Sequence, residues 1–317
     1  MAAPTAAERA AYVKSLDDLS KRFDNLDHNT IKNLISLLQD VRRDMSDVLS
    51  SGPSDFETAR LTQLRASVDN IVARFEAQLM PSLAQSLTDA HAIGAAEVLE
   101  PLAAAGVQFN MISPAVLNVA SEFSAELVQN IGDDMRQSIN GALRRAALGQ
   151  ESPFQAMRRV TDALGVKARD GVWGRRNRPE VVSGVAARSE AIVRTEMTRI
   201  HNVGHDSQQR ILADRVPGLR KRWQARGDSR TRRAHLGTHR RTFSEPILIK
   251  QKFRVGNAKL RFPADPRGPA EQTINCRCRV LTVHPEIGVV PTPADKLLDE
   301  ELGDRGAKGL GEPKEPR

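Results

Sequence analysis

At 317 residues the chain is longer than one typical domain, and its 40% hydrophobic content can bury one sizeable core or two smaller ones. The opening MAAPTAAERA has no apolar signal region, and no later run approaches the roughly 18 to 20 apolar residues of a membrane span. A soluble protein made in the cytoplasm, with no membrane partner, is therefore expected. Its two cysteines stand one residue apart, cannot staple distant segments, and are expected as reduced thiols.

The formal net charge of +8 is unevenly spread: residues 215 to 280 carry eighteen Lys or Arg against four Asp or Glu. Such a local excess suits phosphate backbones or an acidic partner, with a merely solubilising surface as the alternative. Aromatics are only 4%, too few for an interleaved base-stacking surface. Ala, Leu, Arg, Gln and Asp crowd the first two hundred residues, which favours helix packed on helix.

Near the N-terminus Leu16, Leu19, Phe23 and Leu26 form a short helical run. Ile31, Leu34, Leu38, Val41, Met45 and Val48 follow in steps of 3, 4, 3, 4, 3, a heptad seam. The punctuation SSGPSD, with Ser54 and Glu57 as a capping box, opens a second helix whose stripe is Leu61, Leu64, Val68, Ile71, Phe75 and Leu79. Residues 5 to 80 thus read as an antiparallel helical hairpin. Pro81 and Pro101 are expected to bracket a weaker helix. Ser113 with Pro114 predicts a helix running to Leu148 and Gly149. Ser152 with Pro153 predicts another, ending at Gly165, with Phe154, Met157, Val160 and Leu164 on one face. After a loop at 171 to 180, a long helix is expected from Pro179 to about Arg215.

Beyond Pro217 and Gly218 the periodicity changes. The pieces "ILI" at 247 to 249, "LRF" at 260 to 262 and "CRVLTV" at 278 to 283 predict short strands between Gly and Pro turns. The reading is mainly α with a small C-terminal α+β module. It comprises a helical hairpin with heptad character over 1–110, a helical part over 111–218, a basic α+β module over 219–285, and a disordered tail over 286–317.

Four groups of residues could carry chemistry. In a strand, Cys276 and Cys278 would face one way, and His235 and His239 would share a helix face at i, i+4. Together they make a zinc set on paper; a buried, metal-free pair is the other reading, and no other cofactor is expected. Arg194, Thr198, His201 and His205 align along the long helix, as a polar site in a cleft or as a solvated stripe. Glu196 is placed to pair with an arginine of the basic module. In "WQARGDSRTRRAH" Asp228 suits a helix cap or turn and a bidentate arginine pair. Glu196, Asp228 and His235 are the candidates for acid and base work, although no phosphate loop or nucleophile elbow accompanies them. Arg220, Lys221, Arg222, Arg232, Arg233, Arg240 and Arg241 are the candidate nucleic-acid contacts.

The motifs "RTEMTRIHN" at 194 to 202, Trp223, "DSRTRRAH" at 228 to 235, "FP" at 262 to 263 and "NCRC" at 275 to 278 resemble, in order and spacing, a known family. It is the minor head protein family of tailed bacteriophages, with its Mu F-like or SPP1-type head-morphogenesis domain. The resemblance covers about residues 115 to 283. It implies a few-copy protein of the virion head near the portal, assembled in the host cytoplasm. Portal protein, scaffold or capsid protein and double-stranded DNA would be its partners. The matching positions are Arg194, Thr195, Glu196, Trp223, Asp228, Arg230, Arg232, His235, Asn275, Cys276 and Cys278. One departure is "LGTHRRTF", where family members carry a glycine-containing loop, so a ligand role for His239 would belong to this chain alone. A virion-delivered or host-acting enzyme modifying DNA or protein is the alternative function.

Overall fold

The structure, a computed structural model, describes residues 5–50, 58–104, 117–147, 150, 152–165, 184–228, 230–292 and 295. The expected capping box at Ser54, the Ser113–Pro114 start, the stop at Gly149, the loop at 171 to 180 and the start at Pro179 lie outside these residues. Among them the protein is mainly helical, with a small C-terminal module of short antiparallel strands, as the composition predicts. No helix of the described residues is long and apolar enough to cross a membrane.

The two N-terminal runs form one helix, α1 (Ala6–Ser50), because no Gly or Pro separates them. Helix α2 (Thr58–Ala104) passes through both prolines expected to bracket a separate element. Pro81 removes one backbone hydrogen bond at a cost of about 3 kcal/mol. Leu79, Leu83 and Leu87 continue the stripe through it at 0–1% exposure. Burial of three such side chains, about 1.5–3 kcal/mol each, outweighs the break. Helix α3 (Leu117–Ala147) and helix α4 (Pro153–Leu164) follow. Helix α4 carries the expected Ser152 N-cap, Pro153 at its first position and a stop at Gly165, φ 71°; Gln155 adds an unexpected reciprocal bond that completes a capping box. Helix α5 spans Gly184–Ala213.

The chain folds as two compact units that interleave in sequence, so they do not follow the four consecutive segments expected. One is drawn from Asp27–Ser86 and Asn118–Val193, the other from Met1–Leu26, Leu87–Leu117 and Arg194–Arg317. The first unit is a helical core. Leu34, Leu38, Val41 and Met45 of the heptad seam are buried, as are Val72, Phe75 and Leu79 of α2 and Val128, Met135 and Ile139 of α3. Arg136 holds Glu76 through two bonds of 2.8 and 2.9 Å. Gly184 starts α5 at φ +66°, where a Cβ would lie 2.1 Å from the Ala163 carbonyl oxygen.

The second unit contains the α+β module. Strand β1 (Arg220–Gln224) lies between β2 (Ile247–Leu248) and β5 (Arg279–Val283), antiparallel to both. Trp223 is registered against Val280 and Gln224 against Arg279. Helix α6 (Arg233–Ser244) and the hairpin β3 (Phe253–Val255) with β4 (Ala258–Leu260) complete it, together with one turn of helix, α7 (Ala270–Thr273). Strand β1, "RKRWQ", is unanticipated because four of its five residues are polar or charged. Both faces of the sheet are covered: Trp223, Phe253, Phe262 and Val280 share one cluster, while Leu281 joins Tyr12, Leu16, Val98 and Leu212 in another. Strands covered twice lose the apolar and polar alternation by which strands are read.

The expected tail is packed at its beginning. Ile287 is in the core, and Asp295, 6% exposed, grips Arg222 through two bonds of 3.0 Å. Residues 293, 294 and 296–317 lie outside the described residues.

Candidate metal centre

His235 sits in the first turn of α6, where it is 1% exposed. The cysteines stand in the extended lead-in to β5 rather than in the strand itself. After the single turn of α7 the chain bends at Asn275, whose φ is +58°, a conformation Asn tolerates better than most side chains. This bend delivers Cys276 and Cys278 to one side at 1% and 2% exposure. His235 Nδ1 lies 3.3 Å from Cys278 Sγ and 3.7 Å from Cys276 Sγ. One ligand atom from each of the three residues lies within 4.8 Å of the others, an arrangement compatible with zinc. The opposite ring nitrogen, Nε2, is 3.1 Å from Gln272 Oε1, and Trp223 stands edge-on to the imidazole at 5.2 Å. Hydrogen bonds from Cys278 hold the Cys276 thiol well below its usual range, whereas burial pushes the Cys278 thiol well above it.

His239 does not complete the set. Although α6 runs intact through Gly237 and puts both histidines on one face, His239 Nδ1 is 3.0 Å from the Trp223 carbonyl. Its Nε2 is 3.3 Å from Asp295 Oδ1. A carboxylate from the supposed tail has taken the residue that the spacing assigned to zinc.

The remaining motif residues clamp this lead-in. The Asn275 backbone N–H donates to Thr195 Oγ1 at 2.8 Å, and Arg194 reaches Asn275 Oδ1 at 3.4 Å. Asn202 donates to the Cys278 carbonyl at 3.1 Å and accepts from the Val280 N–H at 2.8 Å. Strand β5 has a strand neighbour on one side only, so this side-chain amide stands in for a second strand along its other edge. Asp228 forms the expected bidentate pair, and its partner is Arg277, at 2.5 and 2.8 Å. Burial raises the Asp228 carboxyl, but Arg277 and the Thr231 hydroxyl outweigh it and bring it down to about 2. Asp228 makes a turn with the Arg230 N–H rather than a helix cap. Arg232 donates to the Ile274 carbonyl at 2.6 Å.

Two further expectations are corrected. Glu196 pairs with Arg199 on its own helix, at 2.6 and 2.7 Å, rather than with the basic module. Burial nevertheless dominates and pushes its carboxyl up to about 7. Lys221 and Arg222 are internal, at 0% and 2% exposure: Lys221 donates to the Arg261 carbonyl at 2.8 Å, and Arg222 is held by Asp295. Neither faces outward to a nucleic acid; Arg220, Arg240 and Arg241 are exposed, and Arg232 and Arg233 half-buried.

The aligned residues of α5 form no solvated stripe, for Arg194, Thr198, His201 and His205 are all buried. His201 Nε2 lies 3.3 Å from Glu97 Oε1, and His205 Nδ1 lies 3.5 Å from Glu97 Oε2. Arg279 approaches the same carboxylate at 3.6 Å. Burial opposes the charge on Glu97, yet the imidazoles and Arg279 hold its carboxyl far below the usual range. Glu97 escaped the sequence reading. Its signal is Gly94, one turn earlier, where a Cβ would fall 2.0 Å from the His201 carbonyl, together with Gly204, where it would meet the His91 carbonyl at 2.3 Å. Small residues let α2 and α5 approach closely enough for these groups to meet.

No family model, curated protein or solved structure matches the chain.

Proposed function

We propose that the protein is a minor head protein of a tailed bacteriophage, acting in head morphogenesis beside the portal and the packaged DNA. One observation carries this reading: the segments that bear the resemblance, up to 81 residues apart, join into one bonded network. The RTE helix grips NCRC through Thr195, Arg194 and Asn202, and the DSRTRRAH segment grips it through Asp228–Arg277 and Arg232. His235 meets both cysteines. Motif residues that hold a small module together suit an assembly protein. The three acid and base candidates are each engaged separately, Glu196 by Arg199, Asp228 by Arg277 and His235 by the cysteines, so the enzymatic alternative gains nothing. On this reading zinc occupies the Cys276, Cys278 and His235 cluster. The exposed cations Arg220, Arg240 and Arg241, with half-buried Arg232 and Arg233, face DNA phosphates, and the helical unit docks on portal, scaffold or capsid protein.

The test is quantitative mass spectrometry of purified, DNase-treated particles from the strain that encodes the protein. A few copies per portal ring are expected. Absence from both mature particles and assembly intermediates would overturn the reading.

A further inference from the structure

We propose that His235 Nδ1 and the thiolates of Cys276 and Cys278 hold one structural zinc ion with a water in the fourth position, and that Gln272 is its positioning residue. This deepens the zinc assignment above and is independent of any role in a virion.

The spacing fits the ion. With Zn–S about 2.3 Å and Zn–N about 2.0–2.1 Å, tetrahedral geometry separates a ligand nitrogen from a ligand sulfur by about 3.6 Å. The two N···S distances here, 3.3 and 3.7 Å, fall on either side of that value. The ring is turned correctly as well. The Gln272 amide oxygen can only accept, so His235 Nε2 carries the hydrogen, and the Nδ1 lone pair is left facing both sulfurs. An outer hydrogen bond of this kind fixes the tautomer of a ligating histidine.

The surroundings suit two thiolates. The Cys278 backbone N–H faces the Cys276 sulfur, and the Arg226 N–H faces the Cys278 sulfur. The Trp223 indole N–H, beside Cys278, is buried and lacks a hydrogen-bond partner. Without a metal, two buried thiols and one imidazole leave this indole donor facing a weak acceptor. With zinc bound, both sulfurs are anionic and the N–H groups gain strong acceptors. His239 is held by Asp295 and Trp223, so no fourth ligand comes from the spacing that suggested one. The ion would tie α6 to the lead-in of β5 across 41 and 43 residues of chain, in a site closed to substrate by burial.

The experiment uses the full-length chain, purified under reducing conditions without a polyhistidine tag. Zinc is counted by inductively coupled plasma mass spectrometry, and cobalt(II) is then substituted for spectroscopy. About one zinc per chain is expected, with a thiolate-to-cobalt charge-transfer band and a lower Tm after chelation. No bound metal after incubation with equimolar zinc would overturn the site and leave the cysteines as a packed pair. Retention of full zinc by Cys276→Ser would overturn it equally. Because that variant can fail to fold, Gln272→Leu provides a second reading. It keeps all three ligands, lowers the metal-free Tm because the His235 Nε2–H loses its acceptor, and should in addition weaken zinc 10- to 100-fold in competition with a chromogenic chelator. Unchanged zinc affinity with a lowered metal-free Tm would remove Gln272 from the site. These measurements use the isolated chain, so absence from particles leaves them standing, and a missing metal leaves the head role standing.

Discussion

The two compact units are held together by different physics. In the helical unit the buried side chains are almost all aliphatic or aromatic; Thr30 and Ser189 are its buried polar residues among those described. In the other unit His91, Glu97, Arg194, Glu196, His201, Asn202, His205, Asp206, Lys221, Arg222, His235 and His239 are all buried. Apolar burial is non-directional and tolerates exchange of similar volumes. A buried polar network demands that each donor find its acceptor, and it loses heavily when one member goes. The first unit can therefore accept exchanges that keep its volume, whereas the second depends on individual residues.

The largest expected effect is at Asn202. Replacement by Leu leaves the Cys278 carbonyl and the Val280 N–H buried and unpaired, at roughly 3–5 kcal/mol together. Urea denaturation followed by circular dichroism would read the loss. A change below about 1 kcal/mol would mean that the polar unit is held by its apolar clusters after all. Next comes Leu34→Ala in the helical unit, which should cost about 3 kcal/mol through lost burial and a cavity. That loss should be the same at pH 5 and pH 8, because no titrating group is involved; a strongly pH-dependent penalty would blur the contrast between the units.

The smallest effect, Glu196→Gln, sharpens the contrast through its pH dependence. Folding raises the Glu196 carboxyl from 4.5 to about 7, so the folded state binds the proton more tightly than the unfolded chain. Its contribution is fully present below pH 4.5, fades as pH rises to about 7, and is then constant. The wild type should lose on the order of 1–3 kcal/mol relative to Glu196→Gln across that interval, read from paired melts at several pH values. An identical pH profile for the two proteins would show that Arg199 keeps Glu196 ionised.

How much was legible depended on how local each cause is. The heptad seam of α1, the N-cap at Ser152 with Pro153 behind it and the stop at Gly165 are decided within a few residues, and each appears where the sequence puts it. The same-face placement of His235 with His239 was also readable from periodicity, whereas Cys276 and Cys278 lie before the strand expected to align them and are brought to one side by the bend at Asn275. Pro81 was misread because a proline's cost is local, while the gain that outweighs it is burial of leucines on both sides. Strand β1 was missed because charged residues argue against a central strand until Asp295 and the Arg261 carbonyl are seen to receive them.

By itself the sequence determined the helical class, the basic bias of residues 215 to 280, the short-strand module and the residues that could serve a metal. Which of those residues meet was decided only in three dimensions. His235 went to the cysteines and His239 to Asp295; Glu97 entered between two histidines; Asp228 chose Arg277 from among many arginines. The reason is physical. Periodicity sets the face on which a side chain lies, but the partner across that face comes from distant chain, and in a buried site the unmet polar group is too costly to leave to chance.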